Sequence, residues 1–120
     1  MMTDLGTWFE DQMKDSAVFN EGLVWKVGVF EVRMKDDSTT MFQGFVAGPF
    51  GIYQDPNGRV MIADVVRHTV LCFFPTMEGA LQTARRLYPL HDWESGEKPS
   101  VRVRYNVLMT IINNGGQVAL

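Results

Sequence analysis

An aspartate and a histidine four positions apart are the residues in this sequence best suited to acid–base chemistry. Asp64 and His68 both precede an apolar run that begins at Val70. If the chain bends at residues 67–69, the two side chains meet, and a histidine oriented by a carboxylate can act as a general base. The sequence places no nucleophile beside them, so a turn histidine bonded to a neighbour is the ordinary explanation. We assign no catalytic residue and keep His68 and Asp64 as candidates.

The other histidine and the single cysteine add little chemistry. His91 lies next to Asp92 in a polar stretch, where adjacent side chains point apart. Cys72 lies within an apolar run, and apolar surroundings raise the pKa of a thiol and make it unreactive. Two histidines and one cysteine, widely spaced, do not provide the four N or S ligands of a closed zinc site. We therefore expect no metal and no cofactor.

Four arginines form a candidate anion-binding site. Arg85 and Arg86 fall at the end of a predicted helix, and Arg102 and Arg104 share one face of a predicted strand. They could converge on an anion or a phosphate if the helix and the sheet edge meet. The alternative is that the two strand arginines pair with acidic residues on neighbouring strands, which is common on sheet surfaces.

Large apolar side chains are abundant for a chain of 120 residues, with eight Phe, three Trp, three Tyr and eight Met. Most of them must form the core, but methionine and aromatic residues are also favoured at binding surfaces. One hypothesis is a ligand pocket between sheet and helices, lined by Trp25, Phe42, Phe45, Tyr53 and Tyr105. A core rich in large residues and a subunit interface are the alternatives.

Turn signals and β-branched runs predict five strands in the first two thirds of the chain. The clearest turn is Asp55–Gly58, where proline presets one dihedral angle and glycine accepts a positive φ. A short helix is predicted before the strands, capped by Thr3 or Asp4, with an apolar stripe of Leu5, Trp8, Phe9 and Met13. The strands are predicted over residues 23–35, 40–46, 51–54, 59–66 and 70–74.

A second helix and a final strand are predicted after residue 75. Thr76 is a good N-cap, and Pro89 ends the helix. The strand is predicted over Val101–Ile112, because its first half alternates apolar and polar residues. The tail 113–120 is predicted to be loosely ordered. The helix carries an apolar stripe of Met77, Ala80, Leu81, Ala84, Leu87 and Tyr88.

This order of elements predicts an α+β fold, a mostly antiparallel sheet of five to six strands with two helices packed on it. The length and the apolar content of 46% suit one domain over residues 1–120. The stretch from Gly51 to Leu87 resembles many small hairpin-plus-helix modules, a likeness of architecture that names no family.

Charge and the absence of apolar spans restrict the environment. The net charge of −3 disfavours binding to a nucleic-acid backbone. The N-terminus shows no signal peptide, and the longest apolar run, Val70–Phe74, falls short of the roughly 20 residues that span a bilayer. A lone cysteine forms no internal disulfide, which fits a reducing compartment. We expect a soluble cytoplasmic protein.

The function predicted from these features is that of a small non-enzymatic binding or interaction domain, acting as a homodimer. The predicted last strand becomes apolar on both faces at residue 108, so a partner subunit would cover Leu108, Met109, Ile111 and Ile112. The competing explanation is that the first predicted helix covers the same face within one chain, through Trp8 and Phe9. One alternative is the aromatic pocket, binding a small molecule with or without catalysis. A second alternative is nucleic-acid binding by a local arginine face of Arg59, Arg67, Arg85, Arg86, Arg102 and Arg104.

Overall fold

Six antiparallel strands, ordered along the sheet as they are along the chain, form the framework of the protein. The structure is a computed structural model and describes residues 23–119. The predicted α+β class and the mostly antiparallel sheet are confirmed. The elements are β1 (Lys26–Arg33), β2 (Thr39–Ala47), β3 (Phe50–Gln54), β4 (Val60–Asp64), β5 (Thr69–Phe74), α1 (Met77–Leu87), two 3-10 turns (Tyr88–Leu90 and Trp93–Ser95), α2 (Val101–Asn113) and β6 (Gln117–Val118).

Local side-chain chemistry produces the turns of this meander. Asp55 Oδ1 accepts hydrogen bonds from the backbone N–H of Asn57 (2.9 Å) and of Arg59 (3.0 Å), and Gly58 has a φ of 90°. This confirms the predicted turn between β3 and β4. Because short turns join β1 to β5 in succession, these neighbours in sequence become neighbours in the sheet, and β6 returns to β5 after the two helices.

The two faces of the sheet are covered differently. On the helix face, α1, α2 and Trp93 pack over the main core. On the opposite face a smaller cluster centres on Phe30 and Met61. The sheet curls over this cluster, since the backbone N–H of Arg33 donates to the carbonyl of His68 (2.8 Å) and ties the end of β1 to the β4–β5 turn. Gly51 permits the curl, because a Cβ there would lie 2.7 Å from the Phe30 ring.

Helix α1 forms where its cap and its apolar spacing predict it. The hydroxyl of Thr76 accepts the backbone N–H of Gly79 (3.1 Å) and so satisfies a free donor of the first turn. The predicted stripe is confirmed, with Leu81 and Tyr88 partly buried at its margin. Its other four members, Met77, Ala80, Ala84 and Leu87, are buried in the main core.

The prediction of a strand over Val101–Ile112 is wrong, because these residues form helix α2. The Ser100 hydroxyl accepts the backbone N–H of Val103 (3.3 Å) and starts the helix. The alternation that suggested a strand also contains the four-residue spacing of Val103, Val107 and Ile111, which a helix places on one face. Burial of that face against the sheet and α1 decides between the two periods.

The tail also differs from its prediction. Gln117–Val118 forms β6 and pairs with β5, and the N–H of Ala119 donates to the carbonyl of Leu71 (3.0 Å). The edge of β5 offers free backbone groups, which the tail satisfies. The helix predicted near residues 3–14 lies outside the described residues. Within residues 23–119, no helix is both long enough and apolar enough to cross a lipid bilayer.

Candidate functional sites on and beside helix α2

Asp64 and His68, the predicted acid–base candidates, have separate partners. Asp64 is buried, and its Oδ1 accepts the backbone N–H groups of Val66 (3.0 Å) and Arg67 (3.1 Å). His68 has a φ of 60°, and its Nδ1 lies 3.0 Å from the carbonyl oxygen of Glu31 on β1. The carboxylate therefore shapes the β4–β5 turn, while the imidazole joins that turn to β1.

Cys72 lies in the main core, beneath the two helices. Its side chain is fully buried as a free thiol, and burial raises its pKa to about 12. The thiolate is the reactive form of cysteine, so the thiol is unreactive in the folded state near neutral pH.

The five aromatic residues predicted to line a pocket lie on three different surfaces. Trp25 and Phe45 are buried on the helix face of the sheet. Phe42 and Tyr53 lie on the opposite face, with ring centroids 4.7 Å apart. Tyr105 lies on α2 and is mostly exposed. The structure therefore divides the five residues into a pair in the main core, a pair on the opposite face and Tyr105 on α2, and they line no common pocket among those described.

The four arginines predicted to bind an anion lie on two helices rather than on a helix and a strand. Arg85 and Arg86 are in the last turn of α1, and Arg86 donates a hydrogen bond to the side chain of Asn114. Arg102 and Arg104 are in the first turn of α2. Only Arg104 lines the cavity beside α2 that is described below.

Helix α2 carries an apolar stripe that faces away from the core, here called the outer stripe: Val101, Tyr105, Leu108 and Ile112. Their spacing of four, three and four residues places them on one line along the helix. Val101 is 88% exposed, Tyr105 62% and Ile112 54%, while Leu108 is half-buried. The outer stripe is therefore an apolar helix face of which three members are exposed in the described part of the chain.

The residues predicted as an interface divide between the two faces of α2. Leu108 and Ile112 belong to the outer stripe, and Met109 is partly buried beside it. Ile111 is fully buried in the main core of its own chain. Sequence reasoning missed Val101 and Tyr105, because a strand period places them inward. A helical count from the Ser100 cap would have found them.

The charges of α2 oppose its own macrodipole. A helix has partial positive charge at its N-terminus and partial negative charge at its C-terminus. Arg102 and Arg104 lie in the first turn with no acidic residue beside them, and no basic residue lies in the last turn. The helix thus gains no stabilisation from its charged side chains and keeps an electropositive first turn.

A cavity of about 280 Å³ lies between the β4–β5 turn and α2, here called the cationic pocket. Leu71, Trp93 and Val107 supply its apolar wall, and the buried Asp64 also borders it. Three cationic side chains from separate segments also line it: Arg67, Lys98 and Arg104. Sequence reasoning found two of these arginines without their grouping and missed Lys98, because the residues are far apart in the chain.

Residues 23–119 contain no group of three or more histidine, cysteine, aspartate or glutamate side chains placed to hold a metal ion. Arg59, a member of the alternative arginine face, lies over the Phe73 ring, with its guanidinium carbon 3.9 Å from the ring centroid.

Comparison of the chain with protein-family models, with curated proteins and with solved structures finds no match.

Proposed function

We propose that this chain is a non-catalytic interaction domain that acts as a homodimer, with the outer stripe of α2 as the contact between subunits. The observation that supports the proposal is this stripe, whose members are aligned on a single helix and, apart from the half-buried Leu108, exposed. Single exposed apolar side chains are ordinary on protein surfaces, whereas a contiguous apolar patch marks an interaction site. Asp64 and His68 are each engaged in shaping or fastening a turn, so neither supports a catalytic function.

The spacing of the outer stripe favours a second copy of this chain as the partner. Val101 and Ile112 are equally distant from the centre of the stripe, and so are Tyr105 and Leu108. When two copies pair antiparallel about a two-fold axis, Val101 meets Ile112 of the partner subunit and Tyr105 meets Leu108 of the partner subunit. A two-fold contact requires this kind of self-complementary patch, and the two-fold dimer is the commonest closed assembly.

The charge pattern of α2 favours the same antiparallel arrangement. In such a pair, the first turn of one helix lies beside the last turn of the other. Arg102 would then lie near the carbonyl end of the partner helix, where a cation is favoured. The partner supplies no basic residue at that end to repel it. Arg102, which opposes the dipole of its own helix, thus complements the dipole of the second copy.

The same proposal places the protein in the cytoplasm and without a nucleic-acid partner. Cys72 is present as a buried free thiol, which suits a reducing compartment. The chain has 14 acidic and 11 basic residues, a balance that disfavours the many phosphate contacts of nucleic-acid binding.

Sedimentation equilibrium at micromolar concentration tests the dimer. We expect a mass of twice the chain mass of 13.6 kDa. Tyr105→Glu and Ile112→Glu should each shift the equilibrium towards monomer, because a charge in the contact loses its hydration. Val29→Glu is the matched control, since Val29 on β1 is exposed to a similar extent as Ile112. A parent protein that stays monomeric, or a control that dissociates the dimer equally, would refute the proposal.

A further inference from the structure

We infer that the cationic pocket binds a small organic anion, with its charged group between Arg67, Lys98 and Arg104 and its apolar part against Trp93. This site is distinct from the proposed dimer contact, because no residue of the outer stripe lines the pocket. The volume of about 280 Å³ is at the small end of ligand pockets. It suits a phosphate or carboxylate carried on one ring or a short chain.

None of the three cations of the pocket forms an ion pair with an acidic side chain among the described residues. The ion pair within residues 23–119 that meets a 4 Å limit is between His68 and Glu31, and neither of these residues lines the pocket. Like charges that converge on one cavity repel each other unless an anion lies between them. Each of the three side chains also comes from a different segment, so their convergence is a product of the fold and not of a local run of basic residues.

Asp64 balances these cations only in part, because it is the one acidic side chain in the pocket lining against three basic ones. Its Oδ1 accepts the two backbone N–H groups of the β4–β5 turn, and those bonds place Arg67 at the pocket. A buried carboxylate in the wall also repels a second anion that enters deeply. The charged group of the ligand therefore stays with the three cations, and the uncharged part occupies the interior.

The apolar wall of the pocket determines what the uncharged part can be. Trp93 is buried, and its indole N–H donates to the carbonyl of Leu87 (2.9 Å), so the ring offers the ligand only its apolar surface. Leu71 and Val107 complete that wall. A ring or a short aliphatic chain is preferred there over a sugar, whose hydroxyls would lose hydrogen bonds to water.

Phenyl phosphate, titrated by calorimetry into the full chain, is the probe that tests this site. We expect one site per chain and weaker binding at higher salt, because the charged contacts are partly exposed. Inorganic phosphate should bind more weakly than phenyl phosphate, because it leaves the Trp93 wall empty. Binding should also shift the indole N–H resonance of Trp93 in a ¹⁵N-correlated NMR spectrum.

Variants of the pocket cations show whether binding uses this site. Lys98→Gln and Arg104→Gln should each weaken the binding of phenyl phosphate about tenfold or more, the usual effect of losing a hydrogen bond to a charged group. Lys26→Gln is the matched control, since Lys26 on β1 is an exposed cation that does not line the pocket. No binding by the folded parent, equal binding of inorganic phosphate, or equal weakening by Lys26→Gln would each overturn the inference.

Discussion

Helices α1 and α2 pack into one core, but they differ in how their charged and apolar side chains are arranged. Helix α1 has Glu78 in its first turn and Arg85 and Arg86 in its last, which suits its own dipole. Helix α2 has the reverse arrangement, together with an apolar stripe directed outward. The difference agrees with the proposal that α1 stabilises the monomer, whereas part of the sequence of α2 serves the contact between subunits.

The largest effect is expected from the same substitution made at two adjacent residues that lie on different faces of α2. Ile111→Glu should abolish folding, because Ile111 is fully buried and an unpaired buried carboxylate costs several kcal/mol. Ile112→Glu should keep the fold, because that side chain is half exposed. Circular dichroism spectra of both variants check this. Two native spectra would show that α2 does not pack as described.

A smaller effect is expected on the inner face of α1. Leu87→Ala should lower the free energy of unfolding by about 2–5 kcal/mol, since a buried leucine leaves a cavity. The loss should be the same at every protein concentration, because α1 serves one subunit only. Urea melts measure it, with the exposed Gln82→Ala as control. A concentration-dependent loss would place α1 in the contact as well.

Because α1 and α2 cover β5 and bury Cys72, we expect the stability of the protein to fall at alkaline pH. The pKa of Cys72 is raised by burial from 9.0 to about 12, so the unfolded chain releases this proton first. Stability should therefore fall by about 1.4 kcal/mol per pH unit above pH 9 and level off near pH 12. Urea melts at each pH give the difference in the free energy of unfolding between the parent and Cys72→Ala, and this difference isolates the contribution of the thiol. A constant difference over that pH range would contradict the burial.

A single substitution in α2 should change the stability of the monomer and the stability of the dimer by modest amounts in opposite directions. Arg102→Glu puts an acidic residue at the N-terminus of α2, which should stabilise the monomer by about 0.3–1 kcal/mol. The same variant should weaken the dimer, because the acidic group then lies near the carbonyl end of the partner helix. Melts under dilute, monomeric conditions and sedimentation at higher concentration give the two signs. If both move in the same direction, the dipole argument fails.

Much of the fold could be predicted because its signals are local. The Asp55–Gly58 turn and the Thr76 cap lie within a few residues of the elements they define. Helix α2 was missed because its first half has both a two-residue and a four-residue apolar period, and the choice depends on burial against distant strands. β6 was missed because so short a strand forms only where β5 presents a free edge.

The candidate sites were harder to predict than the fold. Arg104 and Ile112 could be selected by residue type alone. The partners of Arg104 in the cationic pocket come from a turn and a loop, and only the tertiary structure groups them. The outer stripe depends on assigning residues 101–112 to a helix. Because a strand was predicted there, the two-residue period selected the wrong residues as outward-facing.

Cross-linking between the two ends of the outer stripe tests the central claim most directly. Val101→Cys and Ile112→Cys are prepared separately, mixed and treated with a short bismaleimide, with the native Cys72 protected by burial. In the antiparallel pair, residue 101 meets residue 112 of the partner, while like positions lie about 17 Å apart along the axis. We predict a product that joins one chain of each variant, and little product from either variant alone. No product in the mixture, or equal products from each variant alone, would contradict the account.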